Sequence, residues 1–175
     1  MKLKKFLMAI ALPVIALTFA SCSNDDDDDT PLSKVPTQFT EAFQKLYPDA
    51  KGLNVEWEIK GNYRVAEYDH NNNMIDTEVW FNKNAERVME HNDYGENLFF
   101  IPASINAAIE ATQYAKLPWS LGEIDEYIMA NGNTYYMFEA NAKGEPETHI
   151  IMNGNGEVLN VVTGNEPDIT PDYQF

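Results

Sequence analysis

An aliphatic residue, a proline and an apolar helical stripe occur twice in this 175-residue chain, 66 positions apart. The first copy reads Val35-Pro36-Thr37-Gln38-Phe39-Thr40-Glu41-Ala42-Phe43, and the second reads Ile101-Pro102-Ala103-Ser104-Ile105-Asn106-Ala107-Ala108-Ile109. Such self-similarity constrains the fold more than any single motif, because both copies must be built alike and share a core. Proline suits the first turn of a helix, where its missing N–H costs nothing. Phe39, Ala42, Phe43 and Leu46 then fall on one helical face, as do Ile105, Ala108, Ile109 and Thr112. Each copy is expected to open with an amphipathic helix.

The segments after each helix read as strands. Leu53, Val55, Trp57 and Ile59 alternate with Asn54, Glu56, Glu58 and Lys60, the period of a half-buried strand. Further strands are expected at 63–68, 75–81 and 86–91, with turns at Gly61-Asn62, Asp69 to Asn73 and Asn82 to Ala85. The second copy repeats the order at 124–129, 135–140, 149–152 and 157–162. Its turn Met152-Asn153-Gly154-Asn155-Gly156-Glu157 parallels Phe81-Asn82-Lys83-Asn84-Ala85-Glu86. The unit is therefore one helix followed by antiparallel strands, an α+β arrangement used twice, over 33–94 and 95–163. Hairpins of this kind leave one sheet face for the helix and the other for water or a partner. Residues 164–175, with Pro167 and Pro171, are expected to form an irregular tail.

These residues also carry a resemblance. The Val/Ile-Pro helix start, Tyr47-Pro48-Asp49-Ala50, Val55-Glu56-Trp57, the strand opening at Tyr63 and Val79-Trp80-Phe81 together resemble the PepSY-like domain, also called beta-lactamase-inhibitor-like. The likeness runs from Val35 to about Val162. It implies tandem units forming one continuous antiparallel sheet with helices on one face, and binding of a protein through the other face. The second copy departs from the pattern, with Tyr114-Ala115-Lys116-Leu117-Pro118-Trp119 in place of the compact Tyr47–Ala50 turn.

The N-terminus points to export. Lys2, Lys4 and Lys5 precede an uncharged stretch from Phe6 to Phe19, and Ala20, Ser21 and Cys22 come next. A positive start, a short apolar run and small residues before a cleavage point make a signal peptide, here 1–21. The run is shorter than the roughly 20 residues a transmembrane helix needs. Cys22 stands where the lipobox of bacterial lipoproteins, which this segment resembles, places its lipidated cysteine. It is the only cysteine, so no intramolecular disulfide can form and the fold must rest on its apolar core.

Residues 22–32 form the expected linker, with five like charges at Asp25 to Asp29 that repel and extend. An acidic run just after a lipidated cysteine also resembles the signal that sends some lipoproteins to the outer cell surface. An outer-membrane lipoprotein facing the cell surface is therefore expected, with a periplasm-facing one as the alternative. Loss of the three leader lysines takes the formal charge from -16 to -19. Such a chain is repelled by phosphate backbones, which argues against nucleic-acid binding.

No catalytic signature is present: there is no Gly-x-Ser-x-Gly, His-Glu-x-x-His, phosphate loop or dinucleotide fingerprint. Ser33 and Ser104 sit near helix starts, where capping explains them. His70, His91 and His149 lack ligand-like neighbours at the third or fourth residue after them and read as strand or turn residues. Asp69-His70-Asn71-Asn72-Asn73 lacks the central Gly and distant Glu of a calcium loop, so a hairpin turn explains it better. No metal, cofactor or enzymatic activity is expected.

The remaining candidate is the sheet face turned away from the helices. With Val79 and Phe81 inward, Glu78 and Trp80 point outward. Leu53, Val55 and Trp57 inward put Glu56 and Glu58 outward, and Ile124 and Ile128 inward put Tyr127 and Met129 outward. Aromatics and Met among carboxylates suit an interaction surface. The sequence thus favours a lipid-anchored envelope protein that binds an unknown protein or envelope component. The alternatives are a hydrolase or glycan-processing enzyme using carboxylates, and a structural envelope component.

Overall fold

The alternating segments become eight strands of one antiparallel sheet. The computed structural model describes residues 35–70 and 74–175. The signal segment, Cys22, the acidic linker, Ser33 and Asn71 to Asn73 lie outside the described residues. Helix α1 (Thr37–Leu46) precedes strands β1 (Glu56–Lys60), β2 (Tyr63–His70), β3 (Ile75–Phe81) and β4 (Arg87–Asp93). Helix α2 (Ala103–Ala111) precedes β5 (Ser120–Met129), β6 (Thr134–Asn141), β7 (Thr148–Asn153) and β8 (Val158–Thr163). The spatial order is the sequence order, β1 through β8, with β4 pairing β5 across the middle. The described residues are therefore α+β: an eight-stranded antiparallel sheet with two α-helices.

Both helices bury their apolar stripes against the same sheet face. Phe39 and Phe43 of α1 pack with Ala66, Tyr68, Val79 and Phe81. Ile105 and Ile109 of α2 pack with Ile124, Phe138, Ile150 and Met152. A third cluster holds Val65, Trp80, Met89, Tyr127, Met137 and Ile151 together with Ile169 from beyond β8. Strand register assigns that cluster to the opposite face: Val65 pairs Trp80, Trp80 pairs Met89 and Met89 pairs Met129, each one position from an inward residue.

Several local expectations are corrected. Pro36 and Pro102 sit one position before their helices, in nearly identical extended conformations (φ -57, ψ 136 and φ -57, ψ 139), and their carbonyls accept the first backbone bonds of the helices. Ser104 does not cap α2, because Pro102 occupies the cap and no side chain bonds there. The first strand begins at Glu56 and not at Leu53, because the Leu53 N–H is drawn to the Ala50 carbonyl (3.1 Å) and prolongs the turn after α1. Leu46, Leu53 and Ile59, expected inward, are exposed, Leu53 because it belongs to the turn after α1 and not to the strand. Leu46 closes the last turn of its helix, and Ile59 lies on an edge strand with a neighbour on one side only.

The two turns at Asn82 and Asn153 are built alike. Asn82 Oδ1 accepts from the N–H groups of Asn84 (2.9 Å) and Glu86 (3.1 Å), and Asn153 Oδ1 accepts from those of Asn155 (3.0 Å) and Glu157 (3.0 Å). Both need a left-handed residue in fourth position: Ala85 at φ 58 and Gly156 at φ 82. They differ in what lies above. A Cβ on Gly156 would stand 2.7 Å from the Ala108 Cβ of α2, whereas the Ala85 side chain already packs against the first core. Gly156→Ala is therefore expected to destabilise by roughly 2 kcal/mol, through left-handed strain and overpacking. Ala85→Gly should shift stability by less than about 1 kcal/mol, since relief of strain offsets added unfolded-state freedom. Thermal unfolding of the two variants measures the asymmetry, and equal effects would refute it.

Candidate functional site

Cross-strand pairing gathers the six candidate residues into two adjacent rows on the face without helices. Glu56 pairs Glu67, Glu67 pairs Glu78, Glu78 pairs His91, and His91 pairs Tyr127. The neighbouring row runs from Glu58 through Val65, Trp80 and Met89 to Met129. Glu56 and Glu58 are exposed at the edge, while Glu78 and Met129 are half-buried.

The centre of this face is not open, contrary to the expectation of an exposed Trp80. Trp80 is 5% exposed and Tyr127 4% exposed. The segment after β8 lies across them. Ile169 enters their cluster, and Tyr173 and Phe175 pack around it. Phe175 stacks on Tyr135 (centroids 3.5 Å apart, planes 3° from parallel), and Tyr63 donates a hydrogen bond to Asp172 Oδ2 (2.8 Å). The tail is irregular as expected, yet three of its large apolar residues, Ile169, Tyr173 and Phe175, join the cluster on this face.

A charged group sits at the join between the rows and the tail. His91 Nε2 lies 2.7 Å from Asp125 Oδ1, and its Nδ1 lies 3.6 Å from Glu78 Oε2. The His91 ring stacks on Tyr127 at 4.6 Å. Glu78 also accepts hydrogen bonds from Lys60 and from Trp80 Nε1 (3.0 Å). Burial disfavours the charged ring of His91, but the hydrogen bond to Asp125 and the ion pair with Glu78 outweigh it and raise the imidazole to about 9. Burial likewise disfavours ionised Glu78, but His91 and Lys60 outweigh it and hold the carboxyl at about 2. His91 is thus an imidazolium at neutral pH, clamped between two carboxylates. Nearby Glu123 is pushed up to about 7, first by burial and then by Asp93 and Asp125. Tail residues Glu166 to Ile169 close a pocket of about 320 Å³ over Lys60, Glu78 and His91.

The helix face holds a second polar group, between the two apolar cores. Glu126 accepts from Tyr94 Oη (2.6 Å), Tyr136 Oη (2.7 Å) and Asn92 Nδ2 (3.1 Å). Glu90 accepts from Tyr47 Oη and from Arg87 (3.2 Å). Buried Asn92 also accepts from Thr77 Oγ1 (2.7 Å). The group satisfies the polar atoms where the cores meet, which buried donors and acceptors require. A cleft of about 360 Å³ opens beside it, between the end of α1 and β4. Among the described residues, no cluster of three His, Cys, Asp or Glu side chains is placed to hold a metal.

Sequence reasoning missed Lys60, His91, Asp125 and the tail anchors. The partners of His91 come from neighbouring strands, not from three or four residues along the chain. A hairpin centred on Asn82 to Glu86 pairs position 78 with 91, so the turn signal could have found that contact. The tail signal was Ile169, Tyr173 and Phe175, three large apolar residues in a segment read as loop.

No protein-family model matches the sequence, and no curated protein matches it. Solved structures do match. A BLIP-like protein from Bacteroides fragilis superposes with a TM-score of 0.66 at 23% identity, covering 82% of this chain and 97% of its own. A DUF2874 family protein from Bacteroides uniformis gives 0.63 at 22% identity, covering 74% and 90%. A Bacteroides eggerthii protein described as a candidate periplasmic protein gives 0.63 at 25% identity, covering 75% and 90%. Helix placement, strand order and these likenesses together make the fold of this chain BLIP-like.

Proposed function

We propose that this chain is an exported, non-enzymatic protein, tethered to the outer membrane by lipid on Cys22, that binds a protein or envelope component. Its binding surface is the sheet face that carries Glu56, Glu58, Glu78, Trp80, Tyr127 and Met129. The observation that carries the reading is the pair of adjacent rows in which those six residues lie, with an exposed carboxylate rim and an aromatic centre held by the chain's own tail. Displacing that tail uncovers aromatic and methionine surface of the kind interfaces use. The positive leader, Cys22 and Asp25 to Asp29 support export and surface display. The description of the Bacteroides eggerthii neighbour as periplasmic agrees with an envelope location. The two halves are tandem PepSY-like units, a reading supported by the matching geometry at Pro36 and Pro102 and by the matching turns at Asn82 and Asn153.

One experiment tests anchoring and binding together. A photo-crosslinking residue is placed at Glu58, or at Leu117 as an exposed control after α2, in chains with Cys22 or Cys22→Ala. On intact cells, the Glu58 probe with Cys22 should give a discrete adduct in the membrane fraction, and the Leu117 probe should not. Cys22→Ala should release the protein from membranes. Extraction of Cys22→Ala by detergent alone would remove the lipid anchor from the proposal. An adduct pattern identical for Glu58 and Leu117 would remove the binding face.

A further inference from the structure

The tail that covers the sheet face is fastened by apolar contact and opposed by charge. Of residues 165–175, Ile169 alone is buried, while Tyr173 and Phe175 are half-buried. The Gly164 N–H bonds to the Glu147 carbonyl (2.8 Å), and beyond it, among the described residues, no backbone hydrogen bond joins the tail to the sheet. The bond from Tyr63 to Asp172 is an exposed tether. Beneath the tail runs a third row of the same face, in which Asp69 pairs Asp76, Asp76 pairs Asp93 and Asp93 pairs Asp125. It lies two positions along each strand from the row of Glu67, Glu78, His91 and Tyr127, so the side chains point the same way. Like charges directly opposite one another destabilise a sheet. Glu67 and Asp76 are raised, first by burial and then by the carboxylates around them. Lys60 and His91 are already engaged, Lys60 by Glu58 and Glu78, His91 by Glu78 and Asp125. Onto this surface the tail brings Glu166, Asp168 and Asp172 and no lysine or arginine. Glu166 and Asp168 line the pocket over Glu78. Burial, Asp125 and Glu147 raise Glu166 against the pull of His149 and His91.

We propose that this face receives a short basic segment of a partner protein, with an aliphatic anchor among lysines or arginines, and that residues 165–175 hold its place as a weaker internal occupant. The inference rests on the reading that this face binds a protein, and it names the chemistry of that partner. The seat of Ile169 among Val65, Trp80, Met89, Tyr127, Met137 and Ile151 takes the anchor. The carboxylate rows take the charge. A segment that keeps the aliphatic residue but carries bases where the tail carries acids retains the apolar contact and turns repulsion into attraction. The tail is tethered to the sheet it covers, so it competes at a high effective concentration. It thereby excludes segments that bring apolar surface alone and yields to those that bring positive charge as well.

The test is fluorescence anisotropy of labelled synthetic peptides titrated with the purified protein, with circular dichroism as a folding control. One peptide copies residues 164–175. A second carries Glu166→Lys, Asp168→Lys and Asp172→Lys, and a third adds Ile169→Asp to the second. The second peptide should bind at least about tenfold more tightly than the first at low salt, and the gap should narrow as salt rises. The third should bind at least about tenfold more weakly than the second, because it has lost its anchor. Ile169→Asp in the protein loosens the tail and should tighten binding of the first two peptides by a common factor, since both compete with the same occupant. Tyr173→Ala with Phe175→Ala loosens the tail from its far end and should act in the same direction. Equal binding of the second and third peptides, or binding that neither protein variant tightens, overturns the proposal. Equal binding of the first two peptides to the loosened protein overturns the basic partner and leaves a protein-binding face. Failure of both to bind the loosened protein overturns the basic partner and the binding face together.

Discussion

Trp80→Ala is expected to cost about 3–5 kcal/mol of stability, as much as Phe81→Ala on the other face of the same strand. Both side chains are buried, Trp80 at 5% exposure and Phe81 at 0%. The indole lies under Ile169, meets Tyr63 edge-on with centroids 5.8 Å apart and donates to Glu78. Truncation leaves a cavity beneath the tail and removes one of the donors to Glu78. The two positions differ in the source of their cover. Phe81 is covered by α1, and Trp80 is covered by the tail. In a chain lacking 165–175, Trp80→Ala should therefore cost under about 1 kcal/mol, as surface substitutions do. Phe81→Ala should keep its full cost. Urea unfolding of wild type, Trp80→Ala and Phe81→Ala, each with and without the tail, measures the difference in two double-mutant cycles. Equal Trp80→Ala costs with and without the tail would mean that the tail does not shield this face.

Alkali should weaken the protein through His91. Its folded pKa of about 9 lies above the unfolded value near 6.5, so its contribution is fully present below pH 6.5 and is lost as pH rises through 9. The shift corresponds to at most about 3 kcal/mol. Glu123, raised to about 7, acts in the same direction between pH 4.5 and 7. Glu78 acts oppositely, because its carboxyl is held at about 2. Its contribution is present above pH 4.5 and is lost as pH falls toward 2. Stability should therefore peak in mildly acidic solution and decline from pH 6.5 to 9. His91→Gln should flatten the alkaline decline and lower stability at pH 6, since it leaves Glu78 and Asp125 without their shared cation. An unchanged alkaline decline in His91→Gln would assign the effect to other groups.

The helices, the hairpins and the outward set were legible because each depends on local periodicity. Phe39 and Phe43 repeat at helical spacing, and Val79, Trp80 and Phe81 alternate across the pleat. The assignment of Trp80 and Tyr127 to one face and Phe81 to the other followed from that alternation alone. Their burial did not, because it depends on a segment some ninety positions along the chain from Trp80, whose path over the sheet has no periodic signature. The His91 contacts were hidden for a related reason. They depend on register across β3, β4 and β5, and the β4–β5 join is made through α2 with no tight turn to fix it. Boundary errors at Leu53 and Pro36 arose where a single backbone hydrogen bond decides the matter.

The unbroken strand order has a consequence for how the chain acquires its structure. Every strand pairs with its predecessor in sequence, so each hairpin closes a short loop and loses little chain entropy. The exception is the β4–β5 pairing, whose ends are separated by residues 94–119. Contacts so local favour fast folding for a sheet of this size, with that one closure as the natural rate-limiting step. A chain folding from its N-terminus completes α1 and β1 to β4 before α2 is available. The face around Trp80 then stays uncovered until the segment after β8 has arrived, so its aromatic and methionine surface is the last apolar area of the sheet to be shielded from water.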